Sequence, residues 1–110
     1  MLALASHLHQ PSPMDKGWHL IILDDQWRPC RAEPIVADWR TPFARLVALE
    51  CRWIVLHQSR RPSRNIDPGH NDIMLTRTLV RWLRPFDIRM ADHIIRAGDA
   101  RFSFRAAGLL

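Results

Sequence analysis

Two apolar runs of strand length, residues 18–23 and 53–56, alternate along the chain with two segments of helical periodicity. That alternation restricts the fold more than any other feature, because period-2 and period-3.6 segments in turn bury their apolar faces most readily as a sheet with helices packed on it. Residues 18–23 (Trp-His-Leu-Ile-Ile-Leu) are rich in sheet-favouring side chains and end at Asp24-Asp25, a turn signal. Residues 29–35 return as a second strand, with Pro29 and Pro34 suited only to its ends or to a sheet edge. Thr41-Pro42 predicts a helix start, threonine as N-cap and proline at the first helical position, with Phe43, Leu46, Val47 and Cys51 forming its apolar stripe. Residues 53–56 follow as a short strand buried on both faces.

A loop is expected over residues 58–70, punctuated by Pro62, Pro68 and Gly69. A second helix is expected over 72–83, with Leu75, Leu79, Trp82 and Leu83 on one face and Pro85 stopping it. Residues 87–90 and 93–96 read as two short strands, 97–100 as a hairpin turn and 101–104 as a last strand. This succession of strands and helices predicts an α/β fold, a mixed sheet flanked by helices.

With 110 residues the chain has room for one core. Residues 1–16, with Pro11 and Pro13, read as a flexible tail ahead of a domain over 17–110. No apolar run approaches the ~20 residues of a membrane span, and the first residues make a poor signal peptide, so a cytoplasmic location is expected. Cys30 and Cys51 lack metal or disulfide spacing and are expected to pack as small buried thiols. Lys and Arg number 16, all but one arginine, for a net charge of +5. They are spread along the chain except at Arg60, Arg61 and Arg64, where nucleic acid is a possible partner. No Gly-rich phosphate loop, HExxH helix or GxSxG elbow is present. Trp27 and Trp39 are candidates for contact surfaces, with packing against the core the preferred role for both.

The last third, with Asn71-Asp-Ile-Met-Leu-Thr-Arg opening a helix, then Asp92-His93-Ile-Ile and Phe102-Ser-Phe-Arg-Ala-Ala-Gly-Leu-Leu110, resembles the RadC-type JAB/MPN domain. The likeness runs from about residue 17 to 110 and implies the JAMM metallopeptidase-like, cytidine-deaminase-like sandwich. In that family a strand ends in His-x-His-Pro-Ser-Gly, and two histidines with a helix aspartate hold zinc. A glutamate takes the proton of the bound water, and a serine steadies the oxyanion. An open fourth position is what the chemistry requires.

Carried onto this chain, the resemblance puts Glu33 at the acid/base position and Asp72 at the aspartate ligand. On its own, Asp72 reads as a first-turn carboxylate favoured by the helix dipole. The histidine pair is not matched. Counting from Pro62 without insertion, Ser59 and Arg61 replace the two ligands. Counting from the strand end, His57 keeps the first position and Ser59 takes the second. The first register is preferred because it needs no insertion before Asp72. Gly69 stands where the serine would be. His70 offers a rescue ligand beside His57 and Asp72, although residues i and i+2 of a helix face apart. His93 is expected to be structural, hydrogen-bonded near a strand start.

Three readings stay open. The preferred one is a non-catalytic domain acting through protein contacts, with no cofactor and with Arg61, or second Arg60, ion-paired to Glu33 or Asp72. The others are a zinc hydrolase with rearranged ligands and a basic accessory of DNA, the family being bacterial and associated with DNA repair. The helix-hairpin-helix usual upstream in RadC-type proteins is not expected in a chain of this length.

Overall fold

The computed structural model describes residues 17–35, 38–62 and 65–110, so the expected tail over 1–16 and Arg64 lie outside the described residues. Five strands and two helices follow the expected order: β1 (Gly17–Leu23), β2 (Pro29–Ile35), α1 (Arg40–Ala48), β3 (Trp53–Arg60), α2 (His70–Leu83), a 3₁₀ turn (Arg84–Phe86), β4 (Arg89–Ala97) and β5 (Ala100–Ser103). The strands form one mixed sheet in the order β2-β1-β3-β4-β5, with β3 and β4 parallel and the other neighbours antiparallel.

Each turn has a local cause. The Asp24 carboxylate accepts the backbone N–H groups of Gln26 and Arg28, both at 2.9 Å, and bonds the Arg28 side chain at 2.9 Å. These bonds hold its carboxyl below the usual carboxylate range, the Arg28 backbone bond first among them. Because β2 is an edge strand, Pro34 removes no ladder bond that the sheet needs. Gly98 has φ +61°, and a Cβ there would lie 3.2 Å from Pro62 Cβ, so the β4–β5 turn presses directly on the loop after β3.

Several boundaries differ from expectation. α1 begins two residues early, with Trp39 as N-cap making no side-chain cap bond. Asp38 accepts the Arg40 N–H at 2.9 Å instead, and Pro42 falls inside the first turn, where its missing N–H is still harmless. α2 starts at His70 rather than 72. The two short strands expected between 87 and 96 are one strand, β4, whose register skips Ala91: Met90 pairs with Ile54 and Asp92 with Val55. That β-bulge breaks the alternation and gives the sequence its two-strand appearance. Strand β3 continues to Arg60, past the apolar run that marks it.

The β2-α1-β3 and β3-α2-β4 crossovers step the same way along the sheet, so right-handed connections place both helices on one face. The core bears this out, since Leu46 of α1 and Leu79 and Leu83 of α2 pack with Leu20, Ile22, Ile54, Leu56 and Met90. Leu46, Ile54 and Leu56 are fully buried, each worth about 1.5–3 kcal/mol of transfer free energy. Trp82 is 54% exposed, contrary to its expected place on the core face, and Thr76 is buried in α2 instead. Cys51 is half-buried, its thiol pKa raised by burial. Cys30 is exposed rather than buried, because it lies on the edge strand.

Candidate functional site

Strand parity decides which side chains meet. Leu56 belongs to the core under the helices, so Gln58 and Arg60 share its face and His57 and Ser59 point to the other. The pairing agrees: His57 lies opposite His19 of β1 and Ile94 of β4, while Leu20 lies opposite both Leu56 and Glu33. Glu33, Gln58, Arg60 and the first turn of α2 are therefore gathered on the helix-covered face.

Arg60 is the hub of this group. One guanidinium nitrogen donates to Asp72 Oδ2 at 2.6 Å and to Gln58 Oε1 at 3.5 Å. The other donates to the Asn65 and Asp67 carbonyls at 2.8 and 3.1 Å. Both partners of the ion pair are largely buried, with 16% and 14% of their side chains exposed. Charge-assisted bonds in such surroundings are among the stronger ones a protein makes. Asp72 also accepts the Gly69 N–H at 2.7 Å, so it satisfies one of the unbonded amides at the start of α2. Gly69 is the N-cap, in an extended conformation and without a side chain to offer.

Glu33 is 8% exposed. Its Oε2 lies 2.8 Å from Arg31 Nε and its Oε1 3.6 Å from Arg45 Nε. The expected carboxylate–arginine pairing is thus present, but the cation on Asp72 is Arg60, and the cations on Glu33 are Arg31 and Arg45. Arg61 is exposed, not paired to either acid. The sequence pointed to Arg61 by counting from Pro62. Counting from Leu56 along the strand reaches Arg60, and parity wins because the strand persists that far.

His93 is completely buried on the same face. It stacks on Phe104 at 4.1 Å and lies 5.8 Å from the Trp18 ring. Its Nδ1 is 2.6 Å from Thr76 Oγ1, and the Thr76 hydroxyl donates to the Asp72 carbonyl at 3.0 Å. With that hydroxyl proton committed, the His93 Nδ1 carries the proton and donates to Thr76. Burial pulls the His93 pKa down to about 4, outweighing the upward pull of Asp72 and Asp92. His93 is hydrogen-bonded as expected, although in mid-strand rather than near a strand start. Thr76, which joins Asp72 to His93, was missed from sequence. Its spacing of four from Asp72 is the signal that was available.

The residues expected to hold zinc do not converge. His57 faces away from Asp72, and His70, now the first residue of α2, is exposed and about 200° around the helix from it. Among the described residues no group of three or more His, Cys, Asp or Glu side chains is placed to hold a metal ion. The carboxylates of Glu33 and Asp72 are each bonded to guanidinium groups. No helix of the described residues is long and apolar enough to cross a membrane.

Comparison with known proteins places this geometry. The chain is 30% identical to a UPF0758 protein of Variovorax paradoxus (strain S110), over 88% of this chain and 42% of the relative. It is 32% identical to UPF0758 protein FN0909 of Fusobacterium nucleatum, over 64% of this chain and 30% of the relative. It is 43% identical to UPF0758 protein YeeS of Escherichia coli (strain K12), over 44% of this chain and 33% of the relative. The chain thus spans less than half the length of the curated relatives it matches. The model of the RadC-like JAB domain matches residues 19–109, and with the mixed sheet and its two helices this establishes that the chain belongs to the RadC-like JAB domain family.

Proposed function

We propose that this is a non-catalytic RadC-like JAB domain that works through contacts with other proteins. The observation that carries this reading is the Arg60 guanidinium, bonded at once to Asp72 and to two carbonyls of the loop after β3. A permanent cation at the aspartate repels a second cation and ties down the loop that would have to supply ligands. Holding the start of α2 against the end of β3 is, on this reading, the surviving role of the ancestral site. The contact surface is sought at the end of α2 and the turn after it, where Trp82 and Phe86 are 54% and 47% exposed. Aromatic side chains left in water at one place are a common mark of protein interfaces.

The test is elemental analysis of protein saturated with zinc and then dialysed extensively. A zinc content near zero per chain is the expected result. A content near one that falls when Asp72 or His57 is replaced by Ala would overturn the proposal in favour of a zinc hydrolase. Duplex DNA binding that weakens steeply with salt would overturn it in favour of the basic accessory.

A further inference from the structure

The sheet face away from the helices carries a second constellation, unrelated to the one around Asp72. A cavity of about 360 Å³ opens there, floored by Ile21, Val55 and Ile94, walled by Trp27, and rimmed by Arg96 and Arg101. His57 also lines it, is 7% exposed, and has its Nδ1 buried without a hydrogen-bond partner among the described residues.

The charges around this cavity are out of balance. Arg96 and Arg101 are direct cross-strand neighbours in the β4–β5 pair, and like charges facing each other across a ladder destabilise it. Neither is in an ion pair among the described residues, unlike Arg28, Arg31, Arg45 and Arg60. Asp92 also lines the cavity but is spent elsewhere. Its carboxylate accepts the His93 N–H at 2.8 Å, the Ser103 hydroxyl at 2.6 Å and the Arg105 N–H at 2.9 Å. Burial first, then Arg96, His19 and Arg101, lower the His57 pKa to about 4, so at neutral pH it offers one N–H and no further positive charge.

We propose that this cavity binds a small organic anion with a flat apolar body, of the aromatic carboxylate class. The apolar floor and Trp27 take the ring, and Arg96 and Arg101 take the carboxylate as a charge-assisted pair. The neutral His57 ring supplies a buried polar contact that fixes orientation. Its volume lies at the small end of the range for ligand pockets, which suits a ligand of one or two rings. Binding relieves the facing arginines, a deficit that no residue of the described chain makes good. The inference does not depend on whether the opposite face holds zinc.

The probe is benzoate, titrated into the uniformly ¹⁵N-labelled chain and followed by amide and indole shifts. Benzyl alcohol and inorganic phosphate serve as the two comparison probes. The expected result is saturable movement of the His57 and Ile94 amides and the Trp27 indole with benzoate. Binding should weaken about tenfold or more in R96Q/R101Q, the equivalent of one lost charged contact. Benzyl alcohol should bind at least about tenfold more weakly, for the same reason. The unliganded spectrum of R96Q/R101Q shows directly whether the variant is folded, and Arg96→Lys with Arg101→Lys retains charge if the double glutamine variant is not. No saturation with benzoate, undiminished binding in R96Q/R101Q, or equal binding of benzyl alcohol would each overturn the proposal. Phosphate binding as tightly as benzoate would overturn its apolar half and leave a plain anion site.

Discussion

The two faces of this sheet treat their cations in opposite ways. Under the helices, Glu33 and Asp72 are each matched to arginines, and His93 bonds Thr76 through Nδ1 while its Nε2 is buried without a partner among the described residues. On the other face His19 and His57 face each other with buried, partnerless Nδ1 atoms, and Arg96 faces Arg101. The difference teaches where the fold spends its polar groups on its own stability. Helix α2 and the loop before it bring partners to one face, and among the described residues no helix does so for the other.

Acid should break this comparison most visibly. His57 and His93 have pKa values near 4 in the fold against 6.5 in an unfolded chain. Between these values the unfolded chain binds protons that the folded chain refuses, so stability is full above pH 6.5 and lost as pH falls towards 4. The loss is at most about 3 kcal/mol per histidine. It is read from urea unfolding at pH 7.0, 5.5 and 4.5. His19, opposite His57, is also held below its ordinary pKa by burial, so His57→Leu should remove part of the dependence and leave the rest to His19 and His93. A flat profile in the parent protein would contradict the burial of both.

The next effect in size lies on the helix-covered face alone. Arg60→Met should destabilise by roughly 2–3 kcal/mol, since Asp72 keeps its charge with its cation gone and two loop carbonyls lose their donor. Adding Asp72→Asn should recover a good part of that loss. A double-mutant cycle in chemical denaturation measures the coupling, and a value near zero would mean the pair is only a neighbourly contact.

Much of this architecture was legible in the chain. The order of elements followed from the switch between strand and helix periods, and the edge position of β2 from Pro34. The two acids also stood out, Asp72 by its place in a helix's first turn. What could not be read was parity. Once β3 is known to reach Arg60, alternation from Leu56 puts Arg60 on the inner face and His57 on the outer. The apolar run ends at residue 56, so the sequence carries no sign of the strand's true length. The Ala91 bulge is equally silent, and it is what sends Asp92 outward while His93 turns inward. Cys30 and Trp82 were misplaced for a related reason: burial at a sheet edge or on a helix flank depends on what lies beside it.

The smallest effect tests the open face. If Arg96 and Arg101 repel each other across the β4–β5 ladder, Arg101→Glu turns an unfavourable pair into a favourable one. A gain of about 0.5–1 kcal/mol is expected, the scale of cross-strand charge pairs. Both side chains are exposed, so the gain should shrink as salt rises from 20 to 500 mM. Denaturation at the two salt concentrations separates this from any effect of sheet propensity, which salt leaves alone. The same substitution on the inner face has no counterpart, since Arg60 already has its acid. An Arg101→Glu variant that is less stable than the parent at low salt would show that the outer arginines are not in conflict. The two faces would then differ in hydrogen bonding alone.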